Sequence, residues 1–309
     1  MKTFWDLSVG EKRKLETEDA FYEMLKTARE GVANFVYWPE ALKGSKSTGY
    51  KVVRLHFSDC SFAFTKFEKI DFYNCRFSNC KFNHCEFNNC NFHDCEFTYA
   101  NMFRVRVSNC YLDPNSFASI IPNFRDFAGA VRNANMPVSF FQTLLNNARD
   151  TGKTEFEKNA EYHFKKWKGL NLIQKKFTDG PYSDKLSNIS FARKFVPSLI
   201  QYIVTGYGYK VGNFLMTFLV VFSAFFCINH QKWRKYNLEK KDVDIACFNK
   251  DTPNVYSSLF YTLDGTTKVV DSQMHPKSNE GMVWLSIQGV FGLFLFGGLI
   301  TIVQNKYVK

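Results

Sequence analysis

The sequence lacks the residue groupings on which common enzyme sites depend. No serine, histidine and aspartate set, no cysteine with a histidine and no pair of carboxylates stands out, and no glycine-rich loop suits a phosphate group. The six histidines are scattered, at positions 56, 84, 93, 163, 230 and 275. We therefore predict a protein that is not an enzyme and that needs no cofactor.

Acidic residues are scarce relative to basic ones. The chain has 40 lysines and arginines against 29 aspartates and glutamates, so its formal net charge is +11. The excess does not lie in the central segment 55–112, where six basic and six acidic side chains cancel. It lies chiefly in residues 150–241, which leaves the centre of the chain neutral.

Two further absences bear on the nine cysteines. No Cys-x-x-Cys pair exists, which argues against a structural zinc site, and we expect no metal. The beginning of the chain, Met1-Lys2-Thr3-Phe4, has no long apolar stretch of the kind found in secretory signals. Reduced cysteines without an export signal predict that the N-terminal part stays in the cytoplasm.

The sequence does contain a strict period of five. Nine phenylalanines recur every five residues, and a small side chain, most often cysteine, stands two positions before most of them. A period of five fits neither an α-helix nor a flat strand. It fits a coil of four short sides in which two of every five side chains point inward. The predicted inward residues are Phe57, Phe62, Phe67, Phe72, Phe77, Phe82, Phe87, Phe92 and Phe97, with Cys75, Cys80, Cys85, Cys90 and Cys95.

This stretch, roughly residues 52–117, resembles the pentapeptide-repeat family. Members of that family carry Leu or Phe at the centre of each five and Ala or Cys two positions before it. The resemblance implies a right-handed, quadrilateral β-helix, with successive coils about 4.8 Å apart. Such a rod needs capping at its ends. We interpret residues 1–51 as an N-terminal helical cap with a helix over 11–28.

Two runs without any charged residue follow, at 211–229 and 281–305. At about 1.5 Å per helical residue, either run can cross a hydrocarbon core of about 30 Å. The alternative is a pair of buried helices in a soluble domain. We predict a multi-pass protein of the cell inner membrane with both termini cytoplasmic. The basic residues before the first run and after the second run lie on the cytoplasmic side in this orientation and agree with it. The basic residues in 231–241 would lie outside and disagree with it.

Two more helical stretches precede the apolar runs. Residues 137–150 and 153–168 predict a helical hairpin within a linker domain, 118–185. Residues 186–204 are amphipathic and are predicted to lie along the inner membrane surface, within an interfacial segment, 186–210. The all-α domain of two membrane spans then covers 211–309.

A short helix is predicted between the two apolar runs. Asp251 or Thr252 can cap its N-terminus, Pro253 suits its first turn and Gly265 can end it. This order of span, short helix, Thr-Thr turn and span resembles, over 255–303, the two-span pore module of potassium-type channels. Gly206 to Tyr209 and Phe156 to Trp167 are similar to segments of bacterial proteins that fuse pentapeptide repeats to such a module. The resemblance implies these filter residues: Asp264, Gly265, Thr266, Thr267, Lys268, Val269, Val270 and Asp271.

The resemblance departs at the positions that would set ion selectivity. A potassium filter uses glycines there, but this chain has Lys268, Val269 and Val270, and β-branched residues resist positive φ. Strict potassium selectivity is therefore not expected. Asp264 and Asp271 could form acidic rings that favour cations, and Lys268 a ring that opposes them. The alternative is that all three are solvated loop charges.

These patterns predict an oligomeric ion channel, tetrameric by the resemblance, with a cytosolic repeat domain for sensing or assembly. Its partners would be the lipid bilayer, inorganic ions and further copies of the chain. The alternative is a membrane-anchored scaffold whose repeat domain binds a cytosolic protein without conducting ions. Some pentapeptide-repeat proteins imitate DNA, but that role needs an acidic rod, so no nucleic-acid partner is expected.

Overall fold

A computed structural model describes residues 13–44, 49–117, 120, 131–178, 186–240, 252–267 and 274–305. The chain divides into two compact units, Met1–Ser198 and Leu199–Lys309. The first unit contains short parallel strands followed by two packed helices. The second contains three helices that pack on one another.

The first unit begins with strand β1 (Arg13–Leu15) and helix α1 (Glu18–Thr27). The helix starts at Thr17, whose hydroxyl accepts a hydrogen bond from the Ala20 amide, and Glu18 and Asp19 favour its N-terminus. Phe21 of this helix is buried in the same hydrophobic core as the phenylalanines of the repeat. The helix is therefore shorter than the one predicted over 11–28, whose first two residues lie outside the described part of the chain.

The region assigned to a helical cap contributes a coil of its own, which corrects the prediction. Strands β2 (Gly31–Ala33), β3 (Phe35–Tyr37) and β4 (Ala41–Lys43) follow α1, and β2 and β4 pair with strands of the next coil. The five-residue rhythm continues backwards here through buried residues, but without phenylalanine. These residues are Val32, Tyr37, Leu42 and Val52. Because the residue types change, the rhythm is hidden in the sequence although the packing is the same.

Parallel ladders build the rest of this segment. The strands are β5 (Tyr50–Val53), β6 (His56–Ser58), β7 (Lys66–Glu68), β8 (Ile70–Tyr73), β9 (Arg76–Ser78), β10 (Glu86–Asn88), β11 (Asn91–His93), β12 (Glu96–Thr98) and β13 (Arg106–Ser108). The ladders run β2-β6-β9-β12, β4-β7-β10-β13 and β5-β8-β11. A fourth column consists of single bridges at Val36, Ser61, Lys81 and Asn101. Four columns of parallel pairing confirm a β-helix.

The core of the β-helix is a set of stacked side chains. From β5 onward strand partners lie 20 residues apart, so Phe57 pairs with Phe77 and Phe77 with Phe97. Their rings stack nearly parallel, with centroids 4.9 Å and 4.7 Å apart. All nine phenylalanines of the repeat are buried, as are Cys60, Cys75, Cys80, Cys85, Cys90, Cys95 and Cys110.

The corners of the coils are left-handed. Every fifth residue from Arg54 to Asn109 has a φ between 50° and 62°. This residue directly precedes the small inward side chain, and at half of the corners it is Asn or Asp, which tolerate this conformation better than other L-residues. At each corner the chain turns from one side of the coil into the next side.

A helical hairpin covers the C-terminal end of the β-helix. A 3₁₀ turn (Pro114–Phe117) places Phe117 on Phe97, with ring centroids 4.2 Å apart. Helices α2 (Asn135–Asp150) and α3 (Thr154–Phe177) then pack together, which agrees with the predicted hairpin, although α3 extends nine residues beyond the predicted end. Buried Asn147 of α2 accepts from the Cys110 amide at 3.0 Å and donates to the Cys110 carbonyl at 2.8 Å. It therefore satisfies backbone groups of the last coil.

Helix α4 (Asn188–Thr205) leads into the second unit, which holds helices α5 (Val211–Tyr236), α6 (Val255–Thr267) and α7 (Asn279–Val303). Strands β14 (Leu238–Lys240) and β15 (Met274–Pro276) pair antiparallel. Helices α5 and α7 are long and apolar enough to cross a membrane. In the most apolar 18-residue stretch of each helix, only 11% of α5 and 28% of α7 is buried. The core helices of a soluble domain would be mostly covered.

Candidate functional site

The short helix α6 lies between the two apolar helices α5 and α7 and packs on both. It begins directly after Pro253 and Asn254. The Asn254 side chain accepts a hydrogen bond from the Tyr256 amide at 3.1 Å and thus acts as the cap. This corrects the predicted cap at Thr252; the other predicted cap, Asp251, lies outside the described residues.

Helix α6 does not end at Gly265, which corrects a second prediction. The helix continues through Thr266 and Thr267, whose hydroxyls donate to the carbonyls of Thr262 and Leu263 at 2.7 Å and 2.8 Å. A Cβ atom at position 265 would lie 2.9 Å from the Gln288 side chain. The glycine therefore allows close contact with α7, and the Thr-Thr pair belongs to the helix instead of forming a turn.

A buried hydrogen-bond network joins the three helices. Asn229 of α5 donates to the Thr262 hydroxyl of α6 at 2.9 Å and to the Gln288 side chain of α7 at 3.1 Å. The Gln288 amide donates to the Thr262 carbonyl at 2.6 Å and to the Thr266 hydroxyl at 2.8 Å. All four residues are buried. Such a satisfied network holds α6 in one position, since each broken bond would leave a buried polar group unpaired.

Close backbone packing adds to the network. Gly292 of α7 faces the Thr266 carbonyl, and a Cβ atom on Gly292 would lie 1.8 Å from that oxygen. Beside this contact, an apolar cavity of about 560 Å³ opens between the end of α6, the first turns of α5 and the middle of α7. Its lining includes Thr266, Thr267, Phe214, Phe218, Leu293 and Phe296.

The ends of α5 and α7 near α6 carry aromatic and charged contacts. Tyr261 of α6 packs against Trp233 and Tyr236 of α5, with ring centroids about 6 Å away. Lys232 pairs with Glu280 across the two apolar helices, and Lys277 pairs with Glu239 at 2.7 Å. Lys232, one of the basic residues in 231–241 that disagree with the predicted membrane orientation, is therefore balanced by an acid.

The opposite end of α7 contacts a left-handed turn. Gly206, Tyr207 and Gly208 all have positive φ, at 53°, 60° and 87°. A Cβ atom on Gly208 would lie 2.2 Å from the Asn305 amide nitrogen. The Gly-Tyr-Gly stretch singled out in the sequence is thus a buried connection that joins α4 to α5 and touches the end of α7.

The predicted filter residues fall into two groups. Asp264, Gly265 and Thr266 are buried within the unit, and Thr267 is exposed at the end of α6. Lys268, Val269, Val270 and Asp271 lie outside the described residues. Asp264 is only 7% exposed and sits in a helix. It is therefore not a solvated loop charge.

The sequence reasoning missed Asn229 and Gln288, the two amides at the centre of the network. Both stand inside the charge-free runs that were interpreted as spans. Uncharged amides in an otherwise apolar run are the signal that could have identified them, because an amide at membrane depth needs a partner.

The thiols of the buried cysteines in the β-helix donate hydrogen bonds to backbone carbonyls. The Cys85 thiol donates to the Phe62 carbonyl at 2.9 Å, and the Cys110 thiol to the Phe87 carbonyl at 3.3 Å. The neighbouring Cys110 thiol and burial raise the pKa of the Cys90 thiol well above its usual range. A raised pKa keeps the thiol protonated, whereas nucleophiles and metal ligands are thiolates.

Comparison with known families gives one result for the first unit. Residues 51–120 match the pentapeptide repeat region family. No curated protein sequence matches the chain. The matched segment starts about 20 residues after the first strand of the β-helix, because the first coil lacks the phenylalanine pattern. The match does not extend to the second unit.

Proposed function

We propose that the chain forms an ion-conducting pore in the cell inner membrane, as a tetramer, with its pentapeptide repeat region in the cytoplasm for sensing or assembly. The observation that carries this proposal is helix α6, a third helix that is fixed between two apolar helices by buried hydrogen bonds. An anchor needs only the two long helices. A short helix that ends within the layer is tolerated there only if protein or water surrounds its open end.

An exposed stripe on α7 supports assembly with further copies. Its residues are spaced alternately by four and three positions, as in packed helices, and all are exposed in the single chain. Polar residues stand at both ends, and a glycine lies within the stripe. We define this as the α7 stripe: Ser286, Val290, Leu293, Gly297, Ile300 and Gln304. In the proposed tetramer this stripe faces the shared axis and lines the ion path.

The proposal includes the orientation and the winding of the chain. Both termini are cytoplasmic, the β14 and β15 pair lies on the outer side, and the β-helix is a right-handed quadrilateral. Helix α4 then lies on the inner membrane surface. The exposure of its apolar side chains supports this, and Ile189, Val196 and Ile203 are among them. Its basic residues Arg193 and Lys194 would face the lipid headgroups.

Conductance and stoichiometry test the proposal together. The purified full-length chain is expected to be a tetramer in detergent, by light scattering, and to produce unitary currents in a planar bilayer without strict preference for potassium. A monomer that stays silent under every trigger would overturn the pore. That result would favour the membrane-anchored scaffold, in which the repeat region binds a protein partner.

The α7 stripe can be tested residue by residue. Single cysteines at Val290 and Leu293, in a chain whose Cys227 and Cys247 are replaced by serine, should react with a charged thiol reagent and reduce the current. Matched controls are cysteines at Phe291 and Phe294, which are also exposed but lie on another face of α7. Equal inhibition at all four positions would contradict the assignment of the stripe to the ion path.

A further inference from the structure

The charges of helix α3 are separated along its length. Its acidic residues, Glu155, Glu157 and Glu161, all lie in the first third of the helix, and none follows. The remainder carries five lysines, which we call the α3 lysines: Lys165, Lys166, Lys168, Lys175 and Lys176. The helix dipole favours cations only near the last turn. It therefore accounts for the last two lysines and not for the first three.

The α3 lysines lie on the side of the helix that faces away from the core. Trp167 is buried in the same core as residues of α2, and the His163 ring stacks on Phe141 of α2 with centroids 4.8 Å apart. At about 3.6 residues per turn, Lys165 and Lys176 lie on the opposite side of the helix, and the other α3 lysines flank them. All five are at least partly exposed.

The C-terminal end of α3 is joined to the N-terminal part of α4. The Phe177 ring contacts the Phe191 ring with centroids 5.4 Å apart, and Phe191 stacks on Phe195 at 5.0 Å. The Lys176 ammonium donates to the Leu186 carbonyl at 2.6 Å. These contacts lie within the first compact unit. The basic part of α3 is therefore attached to the helix that is proposed to lie on the inner membrane surface.

The stretch 162–205 combines a surplus of positive charge with exposed apolar side chains. It holds eight basic and two acidic residues, whereas the β-helix segment 55–112 is neutral. Ile189 and Val196 of α4 are exposed. Apolar side chains beside lysines and arginines are the combination that binds an anionic membrane surface, since the apolar groups enter the lipid and the cations meet the headgroups.

We propose that the α3 lysines bind the headgroup phosphates of anionic phospholipids, beside Arg193 and Lys194 of α4. This inference rests on the proposed position of α4 on the inner membrane surface. It adds a second surface, on α3, and a preference for anionic lipid. A soluble phosphate would match the charge but would leave the apolar side chains of α4 uncovered.

Lysine acetylation of the wild-type protein tests the surface without a substitution. The full-length protein is placed in lipid nanodiscs, which leave both membrane faces open to solvent, with either phosphatidylcholine alone or an equal mixture with phosphatidylglycerol. Brief acetylation is followed by peptide mass spectrometry. The α3 lysines should react several-fold more slowly in the anionic discs, because headgroup phosphates cover their ammonium groups. Lys51, exposed on the β-helix, is the control and should react equally in both.

Salt and a double variant test whether charge causes the protection. In about 1 M NaCl, where the Debye length is about 3 Å, the protection should be lost. Lys166→Gln with Lys168→Gln removes two charges but keeps the ion pair of Lys165 with Glu161. It should weaken the protection of Lys175 several-fold. Lys51→Gln with Lys69→Gln makes the same charge change at exposed positions of the β-helix and should leave that protection unchanged.

Three outcomes would overturn the lipid-binding surface. Equal acetylation of the α3 lysines in both kinds of disc would favour a soluble acidic partner instead. Equal protection by inorganic phosphate in phosphatidylcholine discs would make the ligand a soluble phosphate. Protection of Lys175 that survives the double variant unchanged would show that the charge of α3 does not cause it.

The same experiment separates this inference from the proposed function. If Lys194 is protected in the anionic discs and the α3 lysines are not, the position of α4 stands and the surface on α3 is rejected. If Lys194 is unprotected as well, the proposed position of α4 also fails. None of these measurements uses a current, so failure of the lipid-binding surface and failure of the pore are distinguishable.

Discussion

At the scale of single residues, the β-helix depends on two kinds of position, inward and corner, each of which recurs every five residues. Inward positions need an apolar side chain of the right size, and phenylalanine fills them through most of the coils. Corner positions need a residue that accepts a positive φ. A residue that does not accept a positive φ strains the backbone at the corner. A corner substitution can therefore destabilise the coil without changing the packing of the core.

Substitution of a corner asparagine tests this. Asn89 is exposed and has a φ of 53°. Asn89→Val should lower the free energy of unfolding by about 1–2 kcal/mol, because a β-branched side chain clashes with its own backbone in this conformation. The matched control is Asn88→Val in the adjacent strand position, where β-branched residues are favoured. Urea unfolding followed by circular dichroism should show a loss for the first variant only.

Thiol reactivity is a second prediction at this scale. The seven repeat cysteines are buried, and a neighbouring thiol together with burial raises the pKa of two of them, Cys90 and Cys95. Because the reagent cannot reach a buried thiol, all seven should resist maleimide labelling at neutral pH until the β-helix unfolds. Peptide mass spectrometry after brief labelling of the native protein measures this. If Cys85 or Cys90 were labelled in the native protein as rapidly as in urea, the buried thiols would be accessible to the reagent and the prediction would be wrong.

At the scale of elements, the position of α6 is decided by its contacts with α5 and α7. Its N-terminus carries ordinary helix-start signals, namely Pro253 and the capping residue Asn254. Its length does not follow from them, since the glycine that could end it serves instead as a contact surface for Gln288. Helix α6 is thus held by its neighbours more than by its own sequence.

One glycine of α7 and one of α5 provide a test of this packing. Gly292→Ala would place a methyl group against the Thr266 carbonyl, and because backbone cannot easily yield, the expected destabilisation is about 1–3 kcal/mol. Gly212→Ala should cause no loss, since nothing lies within 4 Å of its Cβ position and it lies outside the α7 stripe. Thermal unfolding in detergent compares them. Equal melting temperatures for both variants would contradict the close contact between α6 and α7.

At the scale of the whole molecule, the chain combines a β-helix of stacked phenylalanines with two helices that can cross a membrane. The exposed apolar surface of α5 and α7 has to be covered by lipid, by further copies of the chain or by both, because a surface of this size is not stable in water. The proposed orientation places the first unit on the same side as the C-terminus.

Labelling in whole cells tests that orientation. A cysteine at Lys277, which is exposed beside β15, should react with a membrane-impermeant maleimide added outside, in a chain with Cys247 replaced by serine. A cysteine at Glu155, exposed at the start of α3, is the matched control and should react only after lysis. Labelling of Glu155→Cys in intact cells would reverse the proposed topology.

Much of the architecture follows from the sequence because it rests on repeated local chemistry. The spacing of phenylalanines determines the coil and its inward side chains from about Phe57 onward, since each five makes the same contacts as the one before it. The length and lack of charge of the two apolar runs determine helices long enough for a membrane. The hairpin follows from its helical periodicity.

Only the tertiary structure decided the rest. The first coil, at residues 31–43, is defined by the pairing of Val32 with Phe57 and of Leu42 with Phe67. The continuation of α6 through Gly265, the burial of Asp264 and the link from Asn229 to Gln288 depend on which residues of distant segments meet. Such contacts join positions up to 59 residues apart. No local pattern records them, because their energy belongs to the pair and not to either residue alone.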